Sequence, residues 1–247
     1  MKQSSYFDAM KYDQMIAEYG RPEAFETHIA KMPRDALFDL QNKRFMKVMA
    51  FAWQIPFYQR HWAAAGVKPE DITSLHDIEK LPPYSKGDLM KSVEAYPPIG
   101  DFHGLDTYSK DTRPPLIFQT TSGTTGRPQP LLFGPRSREI QNLLLARLYA
   151  MQGIRRDDVM HSVYGHGMVN GGHYVRESVL HWTGAQFLSA GTGVETRSAN
   201  QIHLMKDFNA TAIVGFGDYI TYLAGVARKE GFEPGRDINI RVISGHM

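Results

Sequence analysis

Hydrophobic positions change their period partway along the chain. In the first hundred residues or so they recur at helical spacing. Leu37, Leu40, Phe45, Met49 and Trp53 mark a helix ending near IPFYQRHW, where Pro56 disfavours helical backbone in the residue before it. Ser85 and Asp88 have capping-box spacing, with Asp in the place usual for Glu, and predict another helix start in SKGDLMKSV. From about residue 114 the text alternates. PLIFQT and QPLLFG read as strands around a polar loop, and Pro135 opens a helix closed by Gly153. Its apolar face is Ile140, Leu144, Leu148 and Met151, and the stripe of Leu143, Leu144, Leu148 and Met151 is expected in the core. DDVMHSVY, AQFLSAG, ATAIVGF and INIRVISG read as further strands. Between them GGHYVRESVLHW, SANQIHLMKDF (capped by Asn209) and DYITYLAGVARKEG read as helices.

Strict alternation of this kind predicts an α/β fold: a mostly parallel sheet with helices on its faces and a helical N-terminal region packed on it. The expected division is residues 1–110, mainly helical, and 111–247, an α/β region for nucleotide and acyl binding. In such sheets ligands sit where the carboxyl ends of the strands run into loops.

Composition narrows the classes. The 247 residues are 42% hydrophobic and 22% charged, enough for one large domain or two unequal ones. A formal net charge of +2, without blocks of like charge, points to neither nucleic acid nor a membrane surface. The absence of cysteine excludes disulfides, thiolate metal sites and a cysteine nucleophile together. The opening MKQSSYFDAMKYDQ has no signal-peptide core, and no apolar stretch approaches ~18 residues, so a cytoplasmic protein is expected.

The richest local text is QTTSGTTGRPQPLLFG, residues 119–134. Gly123 and Gly126 let the backbone turn tightly and approach a ligand with no Cβ in the way. Thr120, Thr121, Ser122, Thr124 and Thr125 add hydroxyls, and successive N–H groups in such a turn form an anion-binding concavity. Arg127 adds a permanent charge with a bidentate fork. Together these suit a chain of phosphates, although the same residues also build an ordinary solvated hairpin turn. Spacing excludes the commonest phosphate loop, since Pro128 stands where its second glycine is required, and the dinucleotide glycine pattern fails as well.

Other constellations carry less. His166 and His173 are seven apart, without the i, i+4 spacing or third ligand of a metal site, so no metal ligand is assigned. G-x-S-x-G is absent, which leaves a hydrolase nucleophile elbow unsupported. Asp157–Asp158 reads as a solvated turn opening a strand, and Asp218 as a helix N-cap.

TTSGTTGRP resembles the phosphate-binding loop of the adenylate-forming enzymes, which include acyl-CoA ligases, luciferases and peptide-synthetase adenylation domains. IPFYQRHWAAAGVKPEDITSLHDIEKLPPYSKGDL looks like the stretch preceding that loop in the phenylacetate–CoA ligase family. YGHGMVNGGHY, AGTGVETRSANQIHLMKDFNATAIVGFGDYITYLAGVAR and RVISGHM follow in the family's order. The likeness runs from about residue 37 to the end. Gln129 stands where many superfamily members carry Lys, a departure shared by the phenylacetate branch. The family's aromatic-Gly-x-Thr-Glu segment, ribose-binding Asp, hinge and catalytic Lys are expected beyond residue 247, so the chain is expected to be the N-terminal portion of a longer enzyme.

The resemblance implies an ATP-dependent carboxylate–CoA ligase for an aryl or arylacetic acid, with ATP, Mg²⁺ and coenzyme A. Thr120, Thr121, Ser122, Gly123, Thr124, Thr125, Gly126 and Arg127 would hold the ATP phosphates. Tyr164, His166, Gly172, Gly215 and Tyr219 would border the acyl pocket, and Ser244, Gly245 and His246 the adenine region. The partners implied are the carboxylic acid, ATP and CoA, with no nucleic acid and no membrane. Homodimerisation stays open. So do an incomplete, non-catalytic nucleotide-binding fragment and another ATP-dependent ligase.

Overall fold

The alternating segments close into a four-stranded parallel sheet in the computed structural model of the protein, which describes residues 5–123 and 126–246. A short helix, α1 (Tyr6–Met10), leads into α2 (Tyr12–Tyr19), followed by α3 (Arg34–Ala52), α4 (Pro56–Ala64) and α5 (Lys86–Ala95). Strands β1 (Ile117–Thr120) and β2 (Pro130–Phe133) form an antiparallel pair. Then come α6 (Pro135–Met151), β3 (Val159–Ser162), α7 (Asn170–Trp182), β4 (Gln186–Ser189), α8 (Ser198–Asp207), β5 (Ala212–Phe216), α9 (Gly217–Lys229) and β6 (Val242–His246).

The chain divides into two units: Met1–Ala9 with His28–Gly134, and Met10–Thr27 with Pro135–Met247. In the first, α3 and α4 enclose Met49, Ala52, Trp62 and Ile72. Pro56 opens α4, fitting a residue that lacks the N–H a first turn leaves unused. Ser85 and Asp88 exchange backbone bonds at the start of α5: Asp88 Oδ2 accepts from Ser85 N–H at 2.9 Å, and Ser85 Oγ from Asp88 N–H at 3.2 Å.

In the second unit the sheet order is β4-β3-β5-β6, with every neighbour parallel. Alternate residues face opposite layers, as the pleat demands. Met160, Ala212 and Val214 join Tyr149, Val175 and Val179 of α6 and α7. Val159, Val163 and Ile213 join Ile202, Met205, Leu223 and Val226 of α8 and α9. Being covered on both faces, β3 is buried at all of its positions. Asn209 takes the left-handed conformation (φ 49) that ends α8, as its place after the helix predicts.

Three expectations need correction. Leu144, Leu148 and Met151 are not core: they are 46%, 44% and 55% exposed, and only Leu143 of that stripe is buried. Instead α6 turns inward Arg138, Glu139, Asn142, Leu143, Ala146, Arg147 and Tyr149. The reason lies on α7, which supplies partners no period can reveal. Arg138 Nε donates to Glu177 at 2.5 Å, Trp182 Nε1 to Glu139 at 2.9 Å, and Ser178 Oγ to the Asn142 carbonyl at 2.7 Å. Asp158 is buried and not a solvated turn residue. It accepts from Thr211 Oγ1 at 2.6 Å, from Arg155 N–H at 2.6 Å and from the Arg241 guanidinium, tying the approach to β3 to the approach to β6. Asp218 lies inside the first turn of α9, whose N-cap is Phe216. No helix among the described residues is long and apolar enough to cross a membrane.

Candidate functional site

The glycine-rich loop joins β1 to β2 and lies in the first unit. Thr120 stands opposite Pro130 at the last paired position. Thr121 holds the mouth together: its N–H donates to the Gln129 carbonyl at 3.1 Å, and its Oγ1 accepts from Gln129 N–H at 3.0 Å. Beyond it Gly126 N–H donates to the Gly123 carbonyl at 3.0 Å, a tight turn. Gly123 has φ +71, and a Cβ there would lie 2.7 Å from Pro128 Cγ and 2.9 Å from the Gly126 carbonyl oxygen. Gly126 has φ +137 with open space around it. Ser122, Gly126 and Arg127 are exposed, whereas Thr124 and Thr125 lie outside the described residues. The arrangement presents backbone and a guanidinium to solvent, a geometry able to receive an anion.

The residues expected at the acyl pocket lie in the second unit, around the carboxyl ends of β3, β4 and β5. Tyr164 lies two residues beyond β3, half-buried, with its ring 5.2 Å from Phe216 in an edge-to-face pair. Burial, then the nearby Tyr174, raise its phenol above the ordinary value, so it stays neutral. His166 lies 3.4 Å (Nε2) from Ser189 Oγ at the end of β4, and its ring meets His173 edge-to-face at 5.5 Å. Burial, with help from His173 and Arg176, lowers its pKa against a partial pull from Glu195. A neutral imidazole therefore faces this region at pH 7.

The glycines have physical explanations that do not need a ligand. A Cβ on Gly172 would fall 2.2 Å from the Gly165 carbonyl oxygen, and one on Gly215 only 2.0 Å from Val163 Cγ2. A Cβ on Gly245 would meet the Gly215 carbonyl oxygen at 2.7 Å. Gly172 and Gly245 mark close approaches of backbone to backbone, and Gly215 a close approach of backbone to the Val163 side chain. Tyr219, in the first turn of α9, places its hydroxyl 3.0 Å from Ser198 Oγ and 3.2 Å from Gln201 Nε2. On β6, Ser244 is buried opposite Val214, and Gly245 and His246 pair in register with Gly215 and Phe216.

The structure thus gathers Tyr164, His166, Gly172, Gly215 and Tyr219 at one end of one sheet, with Ser244, Gly245 and His246 on the strand beside β5. The loop residues form a separate group in the other unit. Two neighbours of the pocket group escaped sequence reasoning. Glu195 accepts from Thr192 Oγ1 and lies against Gly165 and Gly191; the Thr192 bond lowers its pKa. Gln201, buried in α8, is the other. Nothing in their spacing distinguishes them from ordinary turn and helix residues.

A doubly covered parallel sheet preceded by a hairpin with a Gly/Ser/Thr loop is the architecture of the adenylate-forming ligases. A solved structure of 2-hydroxyisobutyryl-CoA ligase with 2-HIB-AMP and CoA in the thioesterification state matches at TM-score 0.77 and 27% identity. That match covers 87% of this chain and 44% of the other. The same ligase in its postadenylation state with 2-HIB-AMP matches at TM-score 0.76 and 26% identity, over the same shares.

In sequence the chain is a relative of the phenylacetate–coenzyme A ligases. It is 26% identical to that of Thermus thermophilus over 214 residues, covering 85% of this chain and 44% of the relative. To that of Escherichia coli it is 30% identical over 186 residues, covering 73% and 38%. The chain therefore spans less than half the length of the curated relatives it matches. No protein-family profile matches it.

Proposed function

We propose that this chain serves an ATP-dependent carboxylate–CoA ligase whose substrate is an aryl or arylacetic acid. The observation that carries the reading is the TTSGTTGRP hairpin loop standing ahead of a parallel sheet that superposes on a ligase bound to an acyl-adenylate. Its relatives' name, phenylacetate–CoA ligase, and the Tyr164–Phe216 ring pair support an aromatic acid.

The reaction has two halves. A carboxylate oxygen bonds to the α-phosphorus of ATP while the bond to the bridging β-oxygen breaks, giving acyl-adenylate and pyrophosphate. The CoA thiol then bonds to the acyl carbon, loses its proton, and AMP leaves. Residues 120–127 are assigned to the β- and γ-phosphates, where N–H groups and Arg127 stabilise charge growing on the departing pyrophosphate. Tyr164, His166 and Tyr219, with Gly172 and Gly215 allowing the close packing around them, are assigned to the acid. Ser244, Gly245 and His246 are assigned to the adenine. A carboxylate needs no general base, which suits a neutral His166 that orients by hydrogen bonding.

Mg²⁺ would neutralise phosphate charge. Such an ion is usually held by substrate phosphates plus one or two carboxylates, a donor set that does not require a protein cage.

The test is acid-dependent exchange of pyrophosphate into ATP, measured on a chain that also supplies the remainder of the relatives' length. Exchange is expected with phenylacetate and weaker with 2-hydroxyisobutyrate. Exchange that ignores the acid overturns the ligase reading.

A further inference from the structure

Behind the residues assigned to the acid lies a polar network that the proposed chemistry does not use. His161 of β3 and Gln201 of α8 are both fully buried, on the sheet face covered by α8 and α9. His161 Nε2 lies 3.0 Å from Gln201 Oε1. The other end of the Gln201 amide meets only oxygen: the Thr196 carbonyl at 2.8 Å, and the Gly191 carbonyl, Thr192 carbonyl and Tyr219 hydroxyl each at 3.2 Å. The Tyr219 hydroxyl reaches on to Ser198 Oγ at 3.0 Å. Gly193 runs so close beneath that a Cβ would lie 3.0 Å from the Tyr219 hydroxyl and 3.1 Å from Ser198 Oγ.

The protons follow from this arrangement. Carbonyl oxygens only accept, so the group facing three of them is the NH₂ of Gln201, and its two hydrogens are shared among the oxygens within reach. The amide oxygen then faces His161, which must donate from Nε2. His161 Nδ1 is left as a buried acceptor with no hydrogen-bond partner among the described residues. Had the amide the opposite orientation, its oxygen would oppose the three carbonyl oxygens and those three bonds would be lost. The carbonyls therefore fix the direction of the glutamine, and His161 is the donor that satisfies the amide oxygen turned away from them.

We infer that Gln201 is a positioning residue of the acyl pocket, holding the loop 190–197 and Tyr219 as one piece, and that His161 completes this clamp by donating to the buried amide oxygen. The inference rests on the reading above, in which Tyr219 borders the acid. It adds that the shape of the pocket on this side depends on one amide in the core as well as on the loop's own Thr192–Glu195 bond.

The test compares two replacements of similar size that differ in their ability to donate. His161→Gln keeps an N–H for the Gln201 oxygen; His161→Leu keeps bulk and removes the donor. Amide hydrogen exchange is followed across residues 191–197 in the purified chain. His161→Leu is expected to speed exchange there about tenfold or more, while His161→Gln stays within about threefold of the parent. A purely packing role predicts the reverse, because leucine is the better core residue. Should His161→Leu not fold, Gln201→Met, which removes the whole clamp but preserves volume, is expected to give the same loosening. Equal, slow exchange in all variants overturns the clamp.

In the ligase assay Gln201→Met should raise the KM for the acid about fivefold and leave the KM for ATP within about twofold. A loosened loop with no acid-specific effect overturns the positioning role. A parent enzyme with no acid-dependent reaction at all overturns the ligase reading and the pocket role with it, while the exchange measurement still decides the clamp.

Discussion

At single positions, what a side chain would strike separates turn glycines from packing glycines. Gly126 has φ +137, yet nothing lies within 4 Å of a would-be Cβ, so alanine there strains only the loop backbone. Under the proposed function Gly126→Ala should lower acid-dependent pyrophosphate exchange by about 10²–10³, the usual loss when one such donor is misaimed, with little change in Tm. Unchanged exchange would leave the loop as a turn and nothing more. Gly215→Ala should behave oppositely. Its methyl would meet Val163 Cγ2 at 2.0 Å, so a stability loss of about 1–3 kcal/mol is expected by denaturant titration. Tyr164→Ala and His166→Ala should raise the KM for the acid and leave that for ATP within about twofold, roughly 0.4 kcal/mol. Equal effects on both substrates would remove these residues from the pocket.

Elements are held by partners as much as by apolar faces. The inward side of α6 is partly polar because α7 carries Glu177, Trp182 and Ser178 to meet it. Leu143→Ala should therefore cost about 2–5 kcal/mol, whereas Leu148→Gln, on the exposed stripe, should stay within about 0.5 kcal/mol. The reverse ranking in thermal denaturation would restore the helix to its sequence-expected orientation. Between β3 and β6 the staple is Asp158. Burial opposes its charge, but bonds from Thr211, Arg155 N–H and Arg241 outweigh that and leave its pKa below the ordinary 3.8. A depressed folded pKa contributes stability that is present above the unfolded value and lost as pH falls through the folded one. Asp158→Asn should thus be less stable at pH 7, by about 1–3 kcal/mol, and show a flatter acid limb below pH ~4. Parallel acid limbs in the two proteins would remove Asp158 from that role.

At the scale of the whole molecule, the chain matches less than half the length of its curated relatives. Loop and backbone dipoles in an exposed turn give only ~0.3–1 kcal/mol each. A few of them reach about millimolar affinity, near −4 kcal/mol. Residues 1–247 alone are therefore expected to bind ATP weakly and to release no pyrophosphate in response to acid at high enzyme concentration. Sustained turnover by this polypeptide would show that the residues described here suffice for adenylation.

The division between what was legible in the sequence and what was not follows the range of the physics. Signals carried by adjacent residues came through: the Ser85–Asp88 box, the helix end ahead of Pro56, Pro135 at a helix start, Asn209 at a helix end, the order of strands and helices, and a polar loop between two strands. These depend on dihedral preference and local hydrogen bonding, which a few residues determine by themselves. Groups that meet only after folding stayed hidden. Asp158 finds Arg241 83 residues later, Arg138 finds Glu177 39 residues later, and His161 finds Gln201 40 residues later. An isolated polar residue looks the same whether it is destined for water or for a buried partner. Tertiary structure alone decided those cases, because the cost of burying a polar group depends on whether another part of the chain arrives to pair with it.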